Sequence, residues 1–338
     1  MARVLASTPL VESVIGSSLS HRIGCAEGRR VRGVKPLGQH PAPSHVIAHL
    51  SDPQMLAGRD LFGRVDTAAR MRAALARLPA LDPAPDALVF TGDLADLGEP
   101  EAYALLRGLV EPVARQCGAQ VVWVMGNHDD RAAYAVGLRD APPSDTPQDE
   151  VHDVNGLRIV SLDTSVPGFH HGEISAEQLD WLADVLATPA EHGTLLALHH
   201  PPIPVPMLEA AALIELQDQA GLAEVVRGTD VRAIIGGHFH CSSWSTFAGI
   251  PVSVASSTCY TEDIAAEARL TSGVDGQQAF TVLHVYDDAI VHSVVPVASA
   301  PEVVGHPIDL AEQLEALDPA ELFDLVSRKD SALNAQDL

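Results

Sequence analysis

A chain of 338 residues, 46% hydrophobic and 20% charged, has the material for one large buried core and does not have the composition of a disordered polymer. Its net charge of -24 excludes nucleic acid and anionic membrane surfaces as natural partners of the folded body, because attraction to phosphate needs clustered cations. No run of ~18 apolar residues occurs, so the sequence offers no membrane-spanning segment.

The charge is unevenly spread. Residues 1–44 carry six Lys and Arg against two Asp and Glu, and residues 301–338 carry two against nine. The expected division is a flexible basic extension over 1–44, a folded domain over 45–300, and an acidic tail over 301–338. Within the tail, Leu310–Val326 has Leu and Phe at helical spacing and is expected to form a docking helix. Cys25, Cys117, Cys241 and Cys259 form no C-x-x-C pair, which suits reduced thiols in the cytoplasm.

From residue 45 the pattern alternates. Val46–Leu50, Ala87–Phe90 and Gln120–Met125 read as strands, separated by helices over Thr67–Leu78 and Glu101–Arg115. Leu157–Leu162, Leu195–Leu198 and Val231–Ile235 continue the strands, with helices over Ala176–Ala187 and Gln217–Arg227. The last part changes character. Ser245–Ala255, Phe280–Tyr286 and Ile290–Val297 are β-rich and broken at Gly249 and Asp287-Asp288, as antiparallel strands are. Strand–helix units followed by a meander imply an α/β protein with two mixed sheets and helices outside.

The chemistry gathers where strands end. The clusters are Asp52-Pro53-Gln54, Gly92-Asp93, Gly126-Asn127-His128-Asp129, His199-His200-Pro201-Pro202 and Gly237-His238-Phe239-His240. Ligand sites in α/β sheets lie at the carboxyl ends of strands. Carboxylate and amide oxygens with imidazole nitrogens make a mixed donor set suited to divalent ions. Met55 and Met207 flank the loops and are candidates for the site mouth or for surface filler.

This ordered set resembles the calcineurin-like metallophosphoesterase superfamily over roughly residues 45–300. Stretches such as "VFTGDLADLGEPEAY", "WVMGNHDDR" and "RAIIGGHFH" are similar to class III cyclic nucleotide phosphodiesterases of actinobacteria. The resemblance implies a four-layer αββα sandwich, a homodimer and two metal ions. One ion would take Asp52, Gln54, Asp93 and His240; the other would take Asp93, Asn127, His199 and His238. His200 is then packing or a support behind the ligands, His128 stands beside the scissile phosphate, and His170, rather than His171, contacts substrate, with a plain loop role for either as the alternative. The implied reaction is hydrolysis of a 3′,5′-cyclic nucleotide, cyclic AMP to 5′-AMP, by a hydroxide bridging the ions, with Asp93, Asn127 and His128 as the catalytic set. A broader phosphodiesterase or nucleotide diphosphatase is the alternative, and a nucleotide-binding protein with a weakened site is a third reading.

One position departs from the resemblance. The family begins with D-x-H, and residue 54 is Gln. Its amide oxygen is a harder donor than imidazole, which favours Mn, Fe or Mg over Zn. Gln54 either ligates directly or hydrogen-bonds a metal-bound water, and both roles stand at this point.

Overall fold

The computed structural model describes residues 39–205, 209–267, 269, 271–305, 314, 317–331 and 333. In chain order the strands are β1 (His45–Leu50), β2 (Ala87–Thr91), β3 (Gln120–Val124), β4 (Glu150–Val154), β5 (Leu157–Leu162), β6 (Thr194–Leu198), β7 (Val231–Gly236), β8 (Ser243–Phe247), β9 (Ile250–Val254), β10 (Thr261–Glu262), β11 (Gly273–Val274), β12 (Ala279–Val285) and β13 (Ile290–Pro296). The α-helices are α1 (Thr67–Leu75), α2 (Pro100–Cys117), α3 (Arg131–Leu138), α4 (Ala176–Leu186), α5 (Gln219–Val226) and α6 (Pro319–Ser327).

One sheet has the order β13-β12-β1-β2-β3 and the other β4-β5-β6-β7-β9-β8. β1, β2 and β3 are mutually parallel, as are β5, β6, β7 and β9. The hairpin β12–β13 extends the first sheet antiparallel to β1, and β8 closes the second antiparallel to β9. The late β-rich region therefore divides between the two sheets, and β9 pairs in parallel on one side.

Burial on both faces explains why the central strands read as unbroken apolar runs. Along β1, Val46, Ala48 and Leu50 face the helix side with Met71, Leu106 and Tyr134. Ile47 faces the other way, into the layer it shares with Val89, Val122, Leu195, Ala197 and Ile235. A third core covers the outer face of the second sheet with Leu182 and Leu186 of α4 and Leu222 and Val226 of α5. The result is an αββα sandwich with one apolar layer between the sheets and one outside each.

Local signals set the helix ends. α2 starts at Pro100 and stops at Gly118, whose φ of 72° ends the helix at a left-handed position. Ser175 and Gln178 form a reciprocal capping box on α4. The helix expected to reach Leu78 ends at Leu75 and is followed by a 3₁₀ turn, Leu78–Ala80, because Pro79 has no N–H to continue it. α3 and β4 were not foreseen. Met55, expected at a loop surface or mouth, is wholly buried in the first core; Met207 lies outside the described residues. Trp123 packs on Phe90 at 4.8 Å between ring centroids.

The described residues from 39 to 299 belong to one compact unit and those from 300 onward to a second. In the second, α6 begins at Pro319, with the Asp318 carboxylate accepting from Ala320 N. It covers only the end of the helix expected over Leu310–Val326; residues 310–313, 315 and 316 lie outside the described residues. Among the described residues no helix is long and apolar enough to cross a membrane.

Candidate metal centre

The five strand-end clusters meet because β1, β2 and β3 finish opposite β6 and β7. Backbone ties hold them together. Asp52 N donates to Gly92 O at 3.1 Å, Gln54 N to Asp93 O at 2.9 Å, and Gly237 N to His199 O at 3.0 Å. Bonds also cross between the sheets: His199 Nδ1 donates to Thr91 O at 2.8 Å, and His238 N donates to the Asp52 carboxylate at 3.2 Å. The approach leaves no room for side chains on the glycines. A Cβ on Gly126 would lie 2.1 Å from Asp93 N, and one on Gly237 would lie 1.9 Å from Ser51 Oγ. Asp52, Gln54, Asp93, His238 and His240 all have φ between 48° and 71°, the sparsely populated left-handed region where functional sites store strain.

Two groups of converging donors result: Asp52, Asp93 and His240 in one, and His199, His200 and His238 in the other. The tautomers decide which atoms remain available. His199 donates from Nδ1, so its neutral ring keeps a lone pair on Nε2. That atom lies 3.0 Å from Asn127 Oδ1 and 3.4 Å from Asp93 Oδ1. Asn127 Oδ1 is itself an acceptor, oriented by its amide nitrogen, which donates to His170 Nδ1 at 2.9 Å. His240 donates from Nδ1 to Tyr260 O at 3.1 Å, and its free Nε2 lies 3.4 Å from Asp52 Oδ1. His238 donates from Nε2 to Ile214 O at 2.9 Å, leaving Nδ1. His200 differs. Its Nε2 donates to His170 O at 3.1 Å and its Nδ1 meets the Thr164 hydroxyl at 2.8 Å, so both ring nitrogens are used within the protein.

Lone pairs facing lone pairs repel unless a cation lies between them. The set therefore fits two metal ions, and Gln54 adds a second sign. Its Nε2 donates to Asp93 Oδ2 at 2.9 Å, while its buried Oε1 has no protein partner. An orphaned buried acceptor is costly unless something satisfies it.

The electrostatics agree. Burial pushes the His238 ring down to about 3 and the His240 ring to about 4, so both are neutral donors near pH 7. Burial and then Asp93 push the Asp52 carboxyl well above the usual carboxylate range. Asp93 is as deeply buried, but His199, His128 and the His128 N–H together hold it at about 2. Two carboxylates this close call for added positive charge.

His128 stands at the edge of this group. Its Nδ1 donates to Asp96 O at 2.9 Å, and its ring is 5.3 Å from that of His170. Burial lowers its pKa, but Asp93 and the Asp96 carbonyl outweigh burial and raise it. His171 pairs instead with Glu173 at 3.0 Å. Asp163 anchors Arg131 at 2.9 Å away from the converging donors, and Cys241 belongs to neither donor group. Asp129, in the same G-N-H-D stretch as Asn127, was assigned no role from the sequence. Its carboxylate accepts from Gly126 N, Leu94 N, Ala95 N and the Tyr103 hydroxyl, clamping the exit of β3 to that of β2. The invisible partners are the carbonyls of Thr91, Ile214 and Tyr260.

Fold and donor groups together fit a metallophosphoesterase site, and the chain belongs to the calcineurin-like phosphoesterase family, whose model matches residues 45–242. It is 54% identical over 294 residues to the cAMP/cGMP dual specificity phosphodiesterase MT0825 of Mycobacterium tuberculosis (strain CDC 1551 / Oshkosh), covering 87% of this chain and 92% of that one. It is 52% identical to a probable cyclic nucleotide phosphodiesterase of Rhodococcus erythropolis (strain PR4 / NBRC 100887), covering 86% and 96%. Among solved structures, the purple acid phosphatase PPD1 of yellow lupin superposes with a TM-score of 0.52 at 13% identity, over 76% of this chain and 53% of that one, a likeness of fold.

Proposed function

We propose that this chain hydrolyses 3′,5′-cyclic nucleotides, chiefly cyclic AMP to 5′-AMP, with one ion held by Asp52, Gln54, Asp93 and His240 and the other by Asp93, Asn127, His199 and His238. The observation that carries this reading is the opposition of lone pairs at His199 Nε2 and Asn127 Oδ1. When bound, the ions supply Lewis acidity to the phosphoryl oxygens and an acidified water as nucleophile. The protein's own part is orientation and proton transfer. The Thr91, Tyr260 and Ile214 carbonyls hold three imidazoles in the donor tautomer. The Asp96 carbonyl occupies His128 Nδ1, so Nε2 is the atom that protonates the departing 3′-oxygen. His170, tied to Asn127, contacts the substrate.

Gln54 Oε1 is a hard donor and supports Mn, Fe or Mg over Zn. The reading extends to a cytoplasmic homodimer. The unpaired Cys117, Cys241 and Cys259 suit that compartment, and sedimentation velocity tests the assembly. Metal-stripped protein reconstituted with Mn, Fe, Mg or Zn should turn over cyclic AMP faster than ADP-ribose or bis(p-nitrophenyl) phosphate. Faster turnover of ADP-ribose would establish the nucleotide diphosphatase alternative, and no metal-dependent turnover of any of them would overturn the enzymatic reading.

A further inference from the structure

The loop between β1 and α1 is fastened on both flanks. On one, Met55 N donates to Leu94 O at 3.0 Å, Asp96 N donates to Met55 O at 3.1 Å, and Arg59 pairs with Glu99 at 2.8 Å. On the other, Leu61 and Val65 bury themselves with Leu56 and Cys259 against Tyr260. Leu61 and Val65 close a tight turn by exchanging backbone hydrogen bonds of 2.9 and 3.0 Å.

Phe62 lies inside that turn and does not share its burial. It is 72% exposed and has φ of 54°. A bulky side chain in left-handed backbone is strained, and an aromatic ring in water forgoes its hydrophobic gain. A turn alone would favour Gly or Asn there.

The ring is the outer member of a series. Phe62 meets Tyr260 edge-on at 5.7 Å between centroids, and Tyr260 lies 4.3 Å from His240 with a 33° tilt. Exposure rises along the series, from buried His240 through half-buried Tyr260 to exposed Phe62. Gly273 backs Tyr260 so closely that a Cβ would sit 2.9 Å from its ring. Three aromatic rings thus step from the donor cluster to solvent.

We propose that the nucleobase of the substrate stacks on Phe62 while its phosphate occupies the donor cluster. This rests on the phosphodiesterase reading above and adds where base affinity resides. Stacking reads the π-face and not the hydrogen-bonding edge, so purines bind better than pyrimidines and adenine and guanine are weakly distinguished. Phe169, 59% exposed beside His170, is the competing aromatic; its ring meets His171 at 5.3 Å and not a residue of the donor cluster.

The test compares Phe62→Ala, Phe62→Trp and Phe169→Ala on cyclic AMP, cyclic GMP and a base-free ribose 3′,5′-cyclic phosphate. Phe62→Ala should raise KM for both nucleotides by at least ~5-fold, the low end of base–aromatic stacking, with kcat within ~2-fold. The base-free substrate should be unaffected, and Phe62→Trp should restore KM. Wild-type protein inert on every cyclic phosphate would sink the phosphodiesterase reading itself. Active wild type with an unchanged KM in Phe62→Ala, an equal loss on the base-free compound, or the loss in Phe169→Ala instead, would overturn the stacking proposal alone.

Discussion

Adding one methyl group at Gly126 tests whether the close approach of the β2 and β3 exits builds the centre. The new Cβ would lie 2.1 Å from Asp93 N and 2.3 Å from Asp93 Oδ1. Carbon contacts are comfortable from about 3.5 Å, so the nitrogen must retreat by about 1.4 Å and the oxygen by about 1.2 Å. Neither is the free end of a flexible chain: the amide is fixed in the backbone, and Oδ1 accepts from His128 N at 2.9 Å. Overpacking of this kind costs ~1–3 kcal/mol, which should lower Tm by a few degrees. The functional loss should be larger, because Asp93 is the carboxylate proposed to serve both ions. A displacement of about 1 Å at a reacting centre costs ~10²-fold in rate. Gly108→Ala, on α2 with nothing within 4 Å, is the matched control and should stabilise by ~0.5–1 kcal/mol. Circular dichroism melts, metal content by mass spectrometry and cyclic AMP hydrolysis give the three readouts. A Gly126→Ala protein with both ions and more than half of wild-type activity would refute the argument that this approach shapes the site.

Asn127→Ala and His199→Ala should each lose activity by at least ~10²-fold and release one ion per chain; stoichiometric metal with near-full activity in either would cancel their assignment as donors. Gln54→His should tighten the ion beside Asp52 and shift preference toward Zn, read by calorimetric titration; unchanged affinity would leave Gln54 in contact with water only. The His49 ring, pushed from 6.5 down to about 3 by burial and then by His292, is neutral in the folded protein. Its stabilising contribution is therefore complete above pH 6.5 and is lost as pH falls toward 3, by up to ~1.4 kcal/mol per pH unit. His49→Gln should flatten that acid limb in denaturant unfolding followed from pH 7 to 4, and an unaltered limb would show that other groups govern it.

What could be read from the sequence, and what could not, follows from how each feature is encoded. Strands buried on both faces show as apolar runs ending in Gly, Asp, Asn or His, so β1, β2, β3, β6 and β7 and their polar exits were legible. β4 was not. Its sequence EVHDV alternates toward solvent at a sheet edge and has no apolar run. Its strongest signal is the Asn155-Gly156 turn joining it to β5, where both residues have positive φ as a two-residue hairpin requires. α3 is only eight residues long, and its start rests on the Asp130 carboxylate accepting from Ala133 N. Within the centre, residue type told what could donate but not which atom would be free to do so. His199 and His200 are identical neighbours. One gives Nδ1–H to a carbonyl of the opposite sheet and keeps Nε2 open, while the other spends both nitrogens on Thr164 and His170. The deciding partner of His199 is a backbone carbonyl 108 positions away, and every residue type supplies the same carbonyl. Only the packing of one sheet on the other selects between the two histidines, so the chemistry of the centre depends on the apolar layer beneath it as much as on the donors themselves.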